Sequence, residues 1–155
     1  MDVKNTFWTP DQATALGQLL LRDTQQIGII YYDASLRITG WNEGAYVMTG
    51  WTASEAIGQP TAMLFVPEDR GNRLDLHEAN TARVVGVAED ERWHLRKDGS
   101  RYWSSGLSLP LRGSDGAAGS DGGFVKLFRD LTHVRTRLKH LENQVQECDI
   151  QKHQK

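Results

Sequence analysis

The sequence is short of several things, and each shortage excludes a class of protein. Cysteine occurs once, at Cys148. That removes a disulfide framework within the chain and any CxxC metal or redox motif. Apolar runs are only a few residues long, too short for a helix that spans a bilayer. Residues 1–10 carry a single Lys and no apolar core, so they do not read as a secretory signal. The expected compartment is the cytoplasm. Charge is nearly balanced, with 18 Lys plus Arg against 20 Asp plus Glu and a formal net charge of -2. A nucleic-acid module would show a basic excess, so none is expected. There is no G-x-S-x-G elbow, no P-loop and no paired His-Glu metal motif, so neither an enzyme nor a metal site is expected.

What remains is an ordinary soluble composition, 39% hydrophobic and 25% charged over 155 residues, enough for one domain with its own core. Residues 1–9 read as a polar tail with Phe7 and Trp8. Thr9, Pro10 and Gln12 form a helix start: a cap, a proline suited to the first position and a capping-box partner. The helix that follows carries Leu16, Leu19 and Leu20 and ends near residues 23–26, and its apolar stripe must dock on something. Residues 27–33 (IGIIYYD) read as a strand. A two-residue Ala34-Ser35 turn leads to a second strand over residues 36–41, making a hairpin. Asn42 is a helix cap, Gly50 stops that helix, and Thr52-Ala-Ser-Glu55 is a second capping box. Pro67 opens a longer helix with Leu74, His77 and Thr81 on one stripe.

Three strands follow, over residues 85–96, 101–111 and 124–130. Val85, Val87, Trp93 and Leu95 share one face of the first. Trp103, Leu107, Leu109 and Leu111 share one face of the second. Asp98-Gly99 supplies the positive-φ turn between them. Residues 113–123 hold five of the 15 glycines and read as a flexible loop. From Leu131 the period changes. Leu131, Val134, Leu138, Leu141, Val145 and Cys148 are spaced as a and d positions of about three heptads, which predicts a coiled coil and a parallel homodimer. The chain is α+β, with helices gathered to one side of a sheet.

Three segments in order resemble the PAS domain family of sensory modules, over residues 24–132. They are D-A-S-L-R-I-T-G-W-N-E-G-A-Y-V-M-T-G followed by W-T-A-S-E-A-I-G, then R-K-D-G at 96–99, then R-D-L-T at 129–132. The resemblance implies a five-stranded antiparallel sheet in the order 2-1-5-4-3, a ligand pocket between sheet and short helices, and transmission of ligand state into flanking helices. It divides the chain into a leading helix (1–23), a sensor domain (24–132) and a coiled-coil signalling helix (133–155). Asp130 and Thr132 then fix the junction with that helix. Its expected output is a kinase, cyclase or transducer domain in cis outside this chain, or a signalling partner in trans to a stand-alone module, and two-component signalling is the natural setting.

The pocket candidates are Tyr46, Met48, Met63, His77, Trp93 and Trp103. The four tryptophans of this region also have a plainer reading as core residues. The expected cofactor is none, with non-covalent haem through His77 or flavin as alternatives. Cysteinyl-flavin photochemistry is excluded, because Cys148 lies on the coiled coil. Haem is weakened by spacing, since eight residues separate His77 from Gly86. His94 alternates with Arg92 and Arg96 and is expected on a solvated strand face. His133, His140 and His153 fall on the coiled coil, and the residues after His140 do not resemble a phosphoacceptor context. The function expected is a dimeric sensory module that relays ligand or partner state through its last helix. A constitutive docking platform without a ligand is the alternative.

Overall fold

The computed structural model describes residues 7–119 and 122–153. The start of the expected tail (1–6), Ser120 and Asp121 of the glycine-rich loop and the last two residues of the expected coiled coil lie outside them. Five strands form one antiparallel sheet: β1 (Gly28–Tyr32), β2 (Ile38–Trp41), β3 (Ala88–Leu95), β4 (Arg101–Pro110) and β5 (Phe124–Asp130), in the order β2-β1-β5-β4-β3. Short helices cover one face: α2 (Glu43–Thr49), α3 (Ala53–Ala56), a 3-10 turn (Thr61–Leu64), α4 (Pro67–Gly71) and α5 (Leu74–Val85). Helix α1 (Pro10–Gln18), continued by a π-turn (Leu19–Asp23), precedes the sheet, and α6 (Thr132–His153) leaves it.

The caps form where the sequence places them. Thr9 and Thr52 both complete capping boxes. Asn42 does more than cap α2. Its Oδ1 accepts from the amides of Ala45 and Ile29, at 2.9 and 2.8 Å, and its Nδ2 donates to the carbonyls of Leu20 and Ile27, at 2.7 and 2.9 Å. One buried side chain thus ties the π-turn, β1 and α2 together with its full hydrogen-bonding capacity. Gly44 lets α2 come close, because a Cβ there would lie 2.0 Å from the Ile27 carbonyl oxygen. Gly99 takes φ 85° in the β3–β4 turn, as Asp-Gly predicts.

Several expectations are corrected. The β1–β2 connection is not a two-residue turn: it runs over residues 33–37. Asp33 Oδ1 accepts from the amides of Ser35 and Arg37, and Leu36 sits at φ 62°. The helix opened by Pro67 breaks at Arg73, also left-handed at φ 54°, so α4 and α5 are separate. β3 starts at Ala88, because Gly86 ends α5 at φ 95° and leaves Val85 and Val87 exposed. The stripe docks only in part among the described residues: α1 buries no residue and Leu16 and Leu19 are exposed, while Leu20 in the π-turn is half-buried and its carbonyl accepts from Asn42. The glycine-rich loop is tied at its base, where the Leu111 amide donates to the Gly123 carbonyl and the Gly119 amide donates to the Leu111 carbonyl.

The largest correction concerns which face of the sheet is inside. Alternation along β3 and β4 is as read, but its sense is inverted. Trp93, Trp103, Leu107 and Leu109 lie on the outer, half-covered face. The side against the helices holds Asp90, His94, Tyr102, Ser104 and Ser108, all buried. The apolar core is built instead by Ile30, Ile38, Ala45, Met48, Leu64, Phe65, Tyr102 and Phe128. Trp41 and Trp51 pack against its rim, and the Trp41 indole N–H donates to the Trp51 carbonyl at 2.9 Å.

Candidate functional site

The space between sheet and helices is occupied by charge. Lys126 projects from the middle of β5, between Phe124 and Phe128 on the same face. Its Nζ donates to Glu78 Oε1 and Oε2 at 2.9 and 3.1 Å, and to Asp90 Oδ2 at 2.5 Å. Asp90 Oδ2 also faces His94 Nε2 at 2.6 Å, and its Oδ1 accepts from Arg92 Nε at 2.5 Å. Glu78 Oε1 accepts from the Ser108 hydroxyl at 2.5 Å. The cluster therefore joins α5, β3, β4 and β5.

Geometry fixes its charge balance. His94 Nδ1 lies 2.9 Å from the Leu64 carbonyl, which only accepts, so Nδ1 carries a proton. A second proton must lie between Nε2 and Asp90. Whichever atom holds it, the Asp90–His94 pair sums to zero, and Lys126 is balanced by Glu78. Burial works against ionising Asp90, but the charge of Lys126 and the bond to His94 more than offset it and hold the carboxyl well below the usual carboxylate range. Burial likewise opposes a charged Lys126, yet Asp90 and Glu78 hold its ammonium above the usual lysine range. Burial pushes the Tyr32 phenol up to about 12, against a lowering hydrogen bond with Ser108.

The void left beside Ile30, Thr61, Asp75, Glu78 and Lys126 is about 10 Å³. That is room for one water at most. A flavin or a haem needs a cavity of several hundred Å³, far more than this void offers with the side chains as they stand. His77 is exposed on the far side of α5. It does not face the core, because the buried stripe of α5 is Asp75, Glu78, Ala79 and Ala82. Of the other pocket candidates, Met48 and Met63 belong to the core cluster, while Tyr46 is 43% exposed. Trp93 and Trp103 form an edge-to-face pair, 5.4 Å between ring centres, on the opposite side of the sheet. The six candidates are not brought together. His94, expected in solvent, is 1% exposed and central to the cluster. Among the described residues no three His, Cys, Asp or Glu side chains are grouped to hold a metal ion.

A second site lies where the sheet meets α6. Arg96, just past β3, donates from Nη1 to the Met48 carbonyl at the end of α2 and from Nη2 to Asp130 Oδ2 at 2.8 Å. Its guanidinium lies 4.8 Å over the Tyr102 ring. Asp130 Oδ1 accepts from the amide and hydroxyl of Thr132, at 3.0 and 2.5 Å. Partial burial works against the charged Asp130, but the Thr132 bonds and then Arg96 hold its carboxyl below the usual range. Thr132 Oγ1 in turn accepts from the Trp103 amide at 2.9 Å. Asp130 and Thr132, the junction residues, are thus brought together, with Arg96 as a partner that the sequence reading missed. Beyond them Arg135 stacks on Trp103 at 3.6 Å. Leu131 is half-buried, and Val134, Leu138, Leu141 and Val145 are exposed along α6.

Comparison with known proteins gives a consistent picture. A family model described as a PAS domain matches residues 26–133. Two-component system protein A of Emericella nidulans is 36% identical over 115 residues, 74% of this chain and 16% of that protein. The probable diguanylate cyclase DgcE of Escherichia coli is 32% identical over 116 residues, 73% of this chain and 10% of that protein. The chain therefore spans a small part of the length of these relatives. Among solved structures, the PAS domain of a Colwellia psychrerythraea protein matches with a TM-score of 0.68 at 25% identity, covering 78% of this chain and 98% of that one. Light-oxygen-voltage photoreceptor domains also match, at 21–22% identity, a likeness of fold alone. No helix among the described residues is long and apolar enough to cross a membrane.

Proposed function

The chain belongs to the PAS domain family, and from that premise we propose that it is a sensory relay that dimerises through α6 and passes the state of its core to an output domain. Relatives in two-component and diguanylate cyclase proteins support a signalling role, with a kinase or cyclase as the class of output. A cytoplasmic setting suits it, since a lone exposed thiol such as Cys148 stays reduced there.

The observation that carries the proposal is the Arg96 bridge. It ties the last turn of α2 to Asp130, and Asp130 holds the first turn of α6. A change in the helical layer therefore pulls on the root of the output helix. The input side is the buried cluster. His94 lies near the end of β3 and Arg96 one residue past it, and Lys126 and Asp130 stand four apart along β5. Tyr102 lies between, 5.9 Å from the His94 ring and 6.4 Å from Phe128.

Charge on α6 favours a parallel pairing. With Leu131, Leu138 and Val145 at a and Val134, Leu141 and Cys148 at d, Arg137 takes a g position and Glu142 an e position. In a parallel, in-register dimer Arg137 faces Glu142 of the second copy, a pairing that sets orientation. A 22-residue helix that buries no residue is hard to sustain without such a partner.

Light scattering tests the proposal. The wild-type chain is expected at twice its monomer mass at micromolar concentration, and Leu138→Lys at the monomer mass with an unchanged sheet signature. A wild-type monomer overturns it. The second reading, a constitutive platform, is favoured by the filled core. It is distinguished by Arg96→Gln, which alters amide exchange in the first turns of α6 under the relay reading and leaves it unchanged under the platform reading.

A further inference from the structure

The sheet half of the buried cluster has the composition of a carboxylate receptor. Lys126 Nζ and Ser108 Oγ converge on one carboxylate, that of Glu78, and both come from the rigid sheet. Tyr32 lines the same small void beside Glu78 and Lys126. The carboxylate itself comes from α5, a separate element. Helix α5 is set between two left-handed residues, Arg73 and Gly86. Its fully buried apolar residues are two alanines, Ala79 and Ala82; the other buried positions are Asp75 and Glu78. Half-buried Leu74 adds one larger apolar contact, and the Glu78–Lys126 pair is the main polar tie between α5 and the sheet. The charge balance adds a requirement. The Asp90–His94 pair is neutral, and Arg92 has Asp69 at 3.9 Å beside Asp90. Withdrawing Glu78 leaves one uncompensated positive charge on Lys126, so whatever replaces it must be a monoanion. The side chain that leaves is, beyond its Cα, a propionate.

We propose that the sheet face around Lys126 and Ser108 is a receptor for a short-chain monocarboxylate of the acetate or propionate class, that Glu78 occupies it in the resting chain, and that a free carboxylate replaces Glu78 when α5 lifts. The ligand competes with an internal copy of itself, so occupancy and release of α5 are one event. The 10 Å³ void beside Glu78 is consistent with this: there is no room for a ligand and Glu78 together. This deepens the sensory reading by naming the stimulus, but the site is read without the dimer, so failure of one is distinguishable from failure of the other.

The test uses the wild-type full chain with sodium propionate against sodium chloride at matched ionic strength and pH. Amide exchange of residues 74–85 is expected to quicken several-fold in propionate, with β4 and β5 unchanged. Equal exchange in the two salts overturns the proposal, and so does an equal quickening by phosphate, which would make the effect one of anions in general. A second arm uses Glu78→Ala, whose thermal midpoint is expected to rise saturably with propionate and not with chloride. A folded Glu78→Ala that ignores propionate overturns the proposal. If Glu78→Ala does not fold in either salt, the wild-type exchange decides alone.

Discussion

The two faces of the sheet divide charge unusually, because the inner face sets ionised groups among apolar residues such as Ile30, Ile38, Tyr102, Phe124 and Phe128. The face against the helices carries a lysine, an aspartate, a histidine and two serines. The face turned outward carries two tryptophans and several leucines and valines. The inner charges are tolerable only because each has partners, since burying a charge without one costs far more than a pair returns. Where α6 begins, it lies over the outer face, with Arg135 on Trp103. The difference teaches that this sheet keeps its ionic contacts inside and half-covered aromatic surface outside, and that β3 and β5 contribute to both faces.

Four experiments break or sharpen that comparison. The largest effect is expected inside. Asp90→Ala leaves Lys126, Arg92 and His94 without their shared acceptor and should cost about 3–5 kcal/mol in urea unfolding. Outside, Trp103→Ala removes a half-covered ring and the platform for Arg135. It should cost less, about 1–2 kcal/mol, because a half-buried position loses a fraction of what a core tryptophan does. The reverse order would refute the assignment of the faces.

Next comes pH dependence. Asp90 and Asp130 are held below the range of a free carboxyl. Their contribution is full above about pH 4 and is lost as pH falls below it. Lys126 is held high, and Tyr32 is raised to about 12. Their contribution is full below about pH 10 and is lost as pH rises beyond it. Urea midpoints should form a plateau with losses at both ends, and a flat profile from about pH 3 to about pH 11 would contradict the buried cluster. The smallest effect is expected from Arg135→Ala, about 0.5–1 kcal/mol for one exposed cation–ring contact, with faster amide exchange at the start of α6.

The elements were largely legible in the sequence. Caps at Thr9, Asn42 and Thr52, the Asp98-Gly99 turn and the strand alternation follow from local chemistry, which acts within a few residues. The strand order came with the family resemblance, not from periodicity. What misled was the assumption that the apolar side of a strand points inward. Trp93 and Leu95 obey the alternation, yet they face out, because Asp90 and His94 find Lys126 and the Leu64 carbonyl across the fold. Such compensation is set by residues 30 or more positions apart, beyond the reach of a local pattern. One signal was present: in F-V-K-L-F the phenylalanines at 124 and 128 place Lys126 on their own, inward face. The left-handed backbone at Leu36 and Arg73 had no comparable sign, since neither residue type favours it.

The central claim is that the inner face governs the helix rooted on the outer one. Cys148, the single thiol, reports it directly from its d position near the far end of α6. Under mild oxidation the wild-type chain is expected to form a Cys148–Cys148 cross-linked dimer quickly. Arg96→Gln, folded at the assay temperature, should do so at a rate several-fold different. Equal rates in the two proteins, or no cross-link in the wild type, would contradict the account.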